Sequence, residues 1–208
     1  PVGGSFERGL HSPVNLLPST FGDELKLANG GESKVFSLGF KEHSAILSGG
    51  HSADAAYWYD NKTGTWMTST HYIDSLPGWV NEFNGLMLSD TYLNGEWNTL
   101  LPPDDYGLSL PDTSDYENGM QGQTWFPYDL KKMSTSSVLG ILNKKRDYSI
   151  LEDVPAANTF TSDFAIRLIE EEGLGEDEIT DFFSVSFSAL DNIGHNYGPS
   201  SLEMADAL

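Results

Sequence analysis

The run Ser186-Phe187-Ser188-Ala189-Leu190-Asp191-Asn192-Ile193-Gly194-His195-Asn196-Tyr197-Gly198-Pro199 sets one carboxylate, Asp191, four residues before one imidazole, His195. An apolar strand is expected to deliver Asp191 at its C-terminal end, with His195 following in a Gly-rich turn. In open α/β sheets, ligands bind beyond the carboxyl ends of the strands. A carboxylate oxygen and an imidazole nitrogen placed there can hold a zinc-like ion. Spacing alone equally suits an Asp that caps a turn beside a surface His. Two ligands also fall short of the three that a catalytic zinc usually takes from protein. The other histidines, His11, His43, His51 and His71, form no compact pair with these two.

A second group of candidates is Lys41 and His43 in the run Phe40 to His51. Cationic groups just past a strand end could clamp an anion such as phosphate. On the residues alone, an exposed loop with ordinary charges is the simpler reading.

These side chains need a frame. Lys34 to Phe40 reads as a buried strand, preceded by a short helix over 20–31 whose apolar face would be Phe21, Leu25 and Ala28. Ala55 to Asp60 and Thr65 to Thr70, separated by a Gly-containing turn, read as a hairpin. Leu76 to Phe83 reads as a short helix opened by Ser75 and Pro77. The clearest helix spans 161–173, with Phe164, Leu168 and Ile169 on one face and Gly173 ending it. Asp181 to Ala189 reads as a central strand, and Leu202 to Leu208 begins like another helix. Residues 90–158 lack periodicity and are rich in Asp, Pro, Gly, Asn and Tyr, which points to an irregular insertion or cap. The pattern predicts an α/β fold.

Composition narrows the partners. With 31 acidic against 11 basic residues, the net charge is −20. Such a surface repels nucleic acid phosphates, and nucleic-acid binding is discounted. Cysteine is absent, so disulfides, thiolate metal sites and a Cys nucleophile are excluded. No apolar run is long enough to span a membrane. The chain opens on Pro1-Val2-Gly3-Gly4 rather than on Met, as a processed or partial chain would.

Several of these runs together resemble the alkaline phosphatase superfamily: Gly22 to Ala28, Lys41 to His51, Ala55 to Asp60, Gly64 to Thr70, and Ser186 through Asp191 and His195 to Gly198-Pro199. The nearest branch is that of bacterial periplasmic phosphate-irrepressible alkaline phosphatases, related to type I phosphodiesterase/nucleotide pyrophosphatases. The resemblance implies a mixed sheet flanked by helices, incomplete here, with a cap or insertion at roughly 51–158 of a partial catalytic domain over 1–208. It implies two zinc ions in the parent protein, with Asp191 and His195 as two ligands of one of them. It implies a Thr or Ser nucleophile that forms a phospho-enzyme, lying before this stretch, and further zinc ligands lying after it. The 208 residues alone are then expected to be inactive. Monoesterases of the family place a Lys and an Arg, two apart, on the phosphate oxygens. Here Lys41 matches the Lys, and His43 stands where the Arg would be. The expected substrate is a phosphate ester and the expected location is periplasmic or secreted; oligomeric state is left open.

A rival reading is a non-catalytic carbohydrate- or protein-binding α/β module. Its support is the aromatic set Tyr57, Trp58, Tyr59, Trp66 and Trp125.

Overall fold

The computed structural model describes residues 1–137 and 144–208. In chain order its main elements are α1 (Phe21–Ala28), β1 (Val35–Gly39), α2 (Glu42–Gly49), β2 (Ala55–Asp60), β3 (Thr65–Met67), α3 (Gly78–Gly85), α4 (Leu88–Leu93), β4 (Glu96–Trp97), β5 (Tyr128–Asp129), α5 (Leu130–Met133), β6 (Thr135–Ser137), β7 (Lys144–Arg146), α6 (Ala156–Glu172), β8 (Phe182–Ser186), α7 (Ala189–Tyr197) and α8 (Leu202–Ala207). The chain divides into two compact units. The first is Pro1–Leu88 with Thr159–Phe187, and the second is Ser89–Asn158 with Ser188–Leu208.

The first unit holds a mixed four-stranded sheet in the order β3-β2-β1-β8. β1 runs parallel to both β2 and β8, with Gly39 opposite Trp58 and Ser186, while β3 is antiparallel to β2. Every residue of β1 and β2 is buried, as parallel strands covered on both faces should be. Side chains alternate across β2. Ala56 and Trp58 cluster with Ala45 and Ile46 of α2 and with Met67. Tyr57 and Tyr59 pack on the other side against Phe164 and Phe160 of α6, at 5.3 and 6.0 Å between ring centroids. Trp66 adds rings at 5.2 Å from Phe160 and 4.9 Å from Phe164. Aromatic pairs of this kind contribute about 0.5–1.5 kcal/mol each beyond the area they bury. Tyr57, Trp58, Tyr59 and Trp66 are therefore core, at most 1% exposed, and offer no binding surface. Of the rival reading's aromatics, Trp125 alone is exposed.

Three expectations are corrected in this unit. The long helix begins earlier, at Ala156, and its buried stripe is Phe160, Thr161, Phe164, Ala165 and Leu168; Ile169 faces outward. β8 is shorter than expected and stands at the end of the strand order, half-buried along its length, rather than in the centre. In α1 the apolar face is not what anchors the helix. Phe21 and Ala28 are exposed, and Gly22 and Asp23 are buried.

Asp23 explains this. It closes a capping box with Thr20, taking the Thr20 N–H at 2.9 Å while Thr20 Oγ1 accepts from the Asp23 N–H at 3.2 Å. Its carboxylate also accepts the N–H groups of His51 at 2.9 Å and Ser52 at 2.7 Å, which follow α2. Burial works to raise the Asp23 pKa, but the hydrogen bonds from Thr20, His51 and Ser52 outweigh it and hold the carboxyl well below the usual range. Gly50 makes the approach feasible. Its φ is +78°, and a Cβ there would lie 2.2 Å from Thr20 Oγ1 and 2.6 Å from Asp23 Oδ2. Gly50→Ala is expected to cost at least about 2 kcal/mol, measurable by urea unfolding. A loss under about 0.5 kcal/mol would show that the junction relaxes freely.

The second unit has two small antiparallel ladders, β4 with β5 and β6 with β7. Residues 51–88 of the expected 51–158 insertion fold with the first unit, β2 and β3 among them; residues 138–143 of it lie outside the described residues. Trp97, Tyr128 and Tyr197 form the aromatic centre of this unit, with Trp97 and Tyr128 stacked at 5.2 Å. Asp206 on α8 fastens the chain after β4, accepting from Trp97 Nε1 at 2.7 Å, Leu100 N at 2.6 Å and the Tyr106 hydroxyl at 2.5 Å. Among the described residues no helix is long and apolar enough to cross a membrane.

Candidate functional site

Asp191 and His195 lie on α7, so His195 sits in a helix and not in the Gly-rich turn expected for it. The helical spacing decides the geometry. Ala189, Ile193 and Tyr197, four apart, form the buried stripe. Asp191 and His195, offset by two, project from the opposite face. His195 Nε2 lies 3.5 Å from Asp191 Oδ1, and the side chains are 77% and 57% exposed. Gly194 lies within the helix and faces α8, where a Cβ on it would meet the flexible end of Met204, Cε, at 2.9 Å. Gly198, at φ +90°, ends the helix.

Sequence reasoning missed the residues that orient α7. Ser188 provides no side-chain cap; Asn158 Oδ1 accepts the Ala189 N–H at 3.3 Å instead. Asn192 Nδ2 donates to the Glu152 carbonyl at 3.0 Å, tying the helix to the 3-10 turn Tyr148–Asp153. No periodic signal marks Asn158 or Glu152, because both act from a segment remote in sequence.

Lys41 and His43 belong to the first unit. Lys41 follows the C-terminal end of β1 by two residues and is the N-cap residue of α2; its carbonyl accepts from Ser44 N at 3.1 Å and Ala45 N at 3.3 Å. His43 is exposed in the first turn. The positive end of the helix dipole favours anions at this position. Glu42, which stands between Lys41 and His43, would oppose that. Its carboxylate is turned toward Arg8, with Nη1 3.4 Å from Oε2. Arg8 comes from the irregular N-terminal stretch and could not be linked to this site from spacing. His51 does not join the pair: its ring Nδ1 is 3.2 Å from Asp23 Oδ2 and its Nε2 is 2.9 Å from the Leu16 carbonyl. Among the described residues, no group of three or more His, Cys, Asp or Glu side chains gathers at metal-binding distance.

Residues 26–208 match one family throughout: the chain belongs to the type I phosphodiesterase / nucleotide pyrophosphatase family, within the alkaline phosphatase superfamily. It is 42% identical over 207 residues to alkaline phosphatase PhoV of Synechococcus elongatus, covering 99% of this chain and 36% of that protein. It is 44% identical over 209 residues to a protein of Myroides odoratus named calcium-transporting ATPase, with the same coverage. It is 37% identical over 201 residues to alkaline phosphatase PafA of Elizabethkingia meningoseptica. A solved structure of wild-type PafA superposes with a TM-score of 0.89 over 99% of this chain and 38% of that one, at 37% identity. A four-site variant of PafA, in which a Lys and an Arg two positions apart are both changed to Ala, superposes equally well, at 36% identity. The chain thus spans about 36% of the length of the curated relatives it matches.

Proposed function

We propose that the protein containing this chain is a zinc-dependent phosphoric ester hydrolase of the alkaline phosphatase type, acting through a phospho-enzyme outside the cytoplasm. The observation that carries the reading is the Asp191–His195 pair, side by side on the exposed face of α7 within the matched family segment. The donor set fits zinc, one carboxylate oxygen and one imidazole nitrogen on a rigid helix. Asp191 and His195 would hold one ion. Their remaining co-ligands and the attacking Thr or Ser would come from outside these 208 residues. A zinc bound there supplies Lewis acidity toward a phosphoryl oxygen and a water of lowered pKa.

This chain's own part is binding and orientation. Lys41, at the α2 N-terminus, would place a compact charge on one phosphate oxygen, with the helix dipole in support. His43 would give a weaker second contact, because imidazole cannot reproduce the two-pronged guanidinium fork. In the PafA variant, the substituted Lys and Arg have the spacing of Lys41 and His43, which favours this assignment.

Diesters carry one charge fewer than monoesters and are less penalised by a weak second cation. His43→Arg in the full-length protein is therefore expected to raise the ratio of monoester to diester kcat/KM on the order of tenfold, the worth of one charge-assisted hydrogen bond. Aryl phosphate mono- and diesters assayed side by side provide the measurement. An unchanged ratio would remove His43 from the site.

A further inference from the structure

The second unit contains three carboxylates, those of Glu203, Glu117 and Asp112, that form no ion pair among the described residues. Glu203 on α8 is fully buried. Its Oε1 accepts from the Tyr128 hydroxyl, while Oε2 is inaccessible and accepts nothing from another residue. Both carboxylate oxygens of Glu117 are inaccessible as well and have no well-formed hydrogen bond. Asp112 is half-buried and takes the Phe126 N–H on its two oxygens at 3.2 and 3.3 Å. An ionised carboxylate without partners in such a place is expensive, and the usual resolution is to keep a proton.

We propose that Glu203, Glu117 and Asp112 form an acidic cluster in the second unit whose buried carboxyls keep protons, and that its ionisation loosens the packing of α8, making this unit tighter in mild acid than in alkali. The cluster lies in the unit that carries α7, with Tyr197 of that helix packed against Tyr128 at 5.8 Å. Burial pushes Glu203 up to about 7, against the Tyr128 hydrogen bond and its own backbone, with the charges of Glu117 and Asp112 adding to the rise. Burial likewise raises Glu117, where Asp112 adds and the Ser114 backbone opposes, and raises Asp112, where the Phe126 N–H opposes. Asp153 bears on Tyr197 from the 3-10 turn, and Asp206, on α8 with Glu203, is engaged with Trp97, Leu100 and Tyr106. These neighbours are acidic or phenolic and do not relieve a negative charge.

The sign follows from proton counting. Between the ordinary carboxylate range and about 7, Glu203 holds its proton more firmly in the folded than in the unfolded chain, so its contribution to stability falls as pH rises through that window. Glu203→Gln keeps the shape and the acceptor for Tyr128 but removes the titration. It is expected to reduce the fall in thermal midpoint between about pH 5 and about pH 8 by on the order of 5–10 °C. Infrared spectra should show a protonated buried carboxyl near neutral pH that is missing in Glu203→Gln. Glu117→Gln should act in the same direction, less strongly. Equal pH dependence in wild type and Glu203→Gln, or no protonated carboxyl band, would overturn the proposal. So would calcium chloride raising the midpoint at about pH 8 in wild type but not in Glu203→Gln, since a cation and not a proton would then neutralise the cluster.

Discussion

Asp191→Ala in the full-length protein is expected to lower phosphate ester hydrolysis at least roughly 100-fold, because loss of groups that merely support a metal ligand already costs 10–100-fold in affinity or activity. His195→Ala should do nearly the same. The double variant should be little worse than either alone, since both residues would serve one ion and lose it together. Stability should hardly change, because the side chains are 57% and 77% exposed and the helix is fixed by Ala189, Ile193 and Tyr197. Turnover of an aryl phosphate, zinc content by elemental analysis and a thermal melt on the same preparations separate the outcomes. Wild-type turnover with full zinc in Asp191→Ala would remove this pair from the site. Lost turnover with a lowered melt would point to structure instead.

The largest stability effect is expected at Asp23. Asp23→Ala strands the N–H groups of Thr20, His51 and Ser52 and frees the His51 ring from its carboxylate. Each stranded donor costs about 1–3 kcal/mol when desolvated, and partial hydration of the loop reduces the total, so a loss of roughly 3–5 kcal/mol is expected. Asp23→Asn should recover part of this. Its oxygen can still take His51 and Ser52, but its amide would point a donor at the Thr20 N–H. The pH dependence has the opposite sign to that of Glu203. With the Asp23 pKa lowered on folding, its contribution is complete above the unfolded value near 3.9 and is lost as pH falls below it toward the folded value. Urea unfolding of wild type and Asp23→Ala at neutral pH and at about pH 3 should therefore show the gap narrowing in acid. A gap that is constant with pH would mean that the carboxylate charge is irrelevant to the fold.

Much of the fold was legible because it rests on short-range patterns. The hairpin of β2 and β3 follows from two aromatic runs around Gly64, at φ +74°. The first strand was expected over 34–40 and spans Val35–Gly39, and the parallel layer it predicts is present in register with β2 and β8. Where reading failed, a long-range contact decided. α1 has an apolar pattern at Phe21, Leu25 and Ala28, yet it is seated by one buried carboxylate reaching residues 28 and 29 positions away. Ile169 has the right period for the α6 stripe but is exposed, and the buried stripe is completed instead by Phe160, Thr161 and Ala165. Local glycine density around 194–198 suggested a turn, whereas Gly194 lies inside α7 and Gly198 ends it.

By itself the sequence determined the residue types available for chemistry and their local spacing. It supplied a carboxylate four before an imidazole, a Lys two before a His after a buried strand, a strongly acidic surface and no thiol. Those are properties of neighbours along the chain, and spacing is enough to read them. Only the tertiary structure decided that Asp191 and His195 share the exposed face of a helix, that Asn158 rather than Ser188 caps it, that Arg8 pairs with Glu42, and that carboxylate oxygens of Glu203 and Glu117 are inaccessible and without hydrogen bonds among the described residues. Each of these joins segments separated by tens of residues, and burial and hydrogen bonding between such segments follow from packing, which no local pattern encodes.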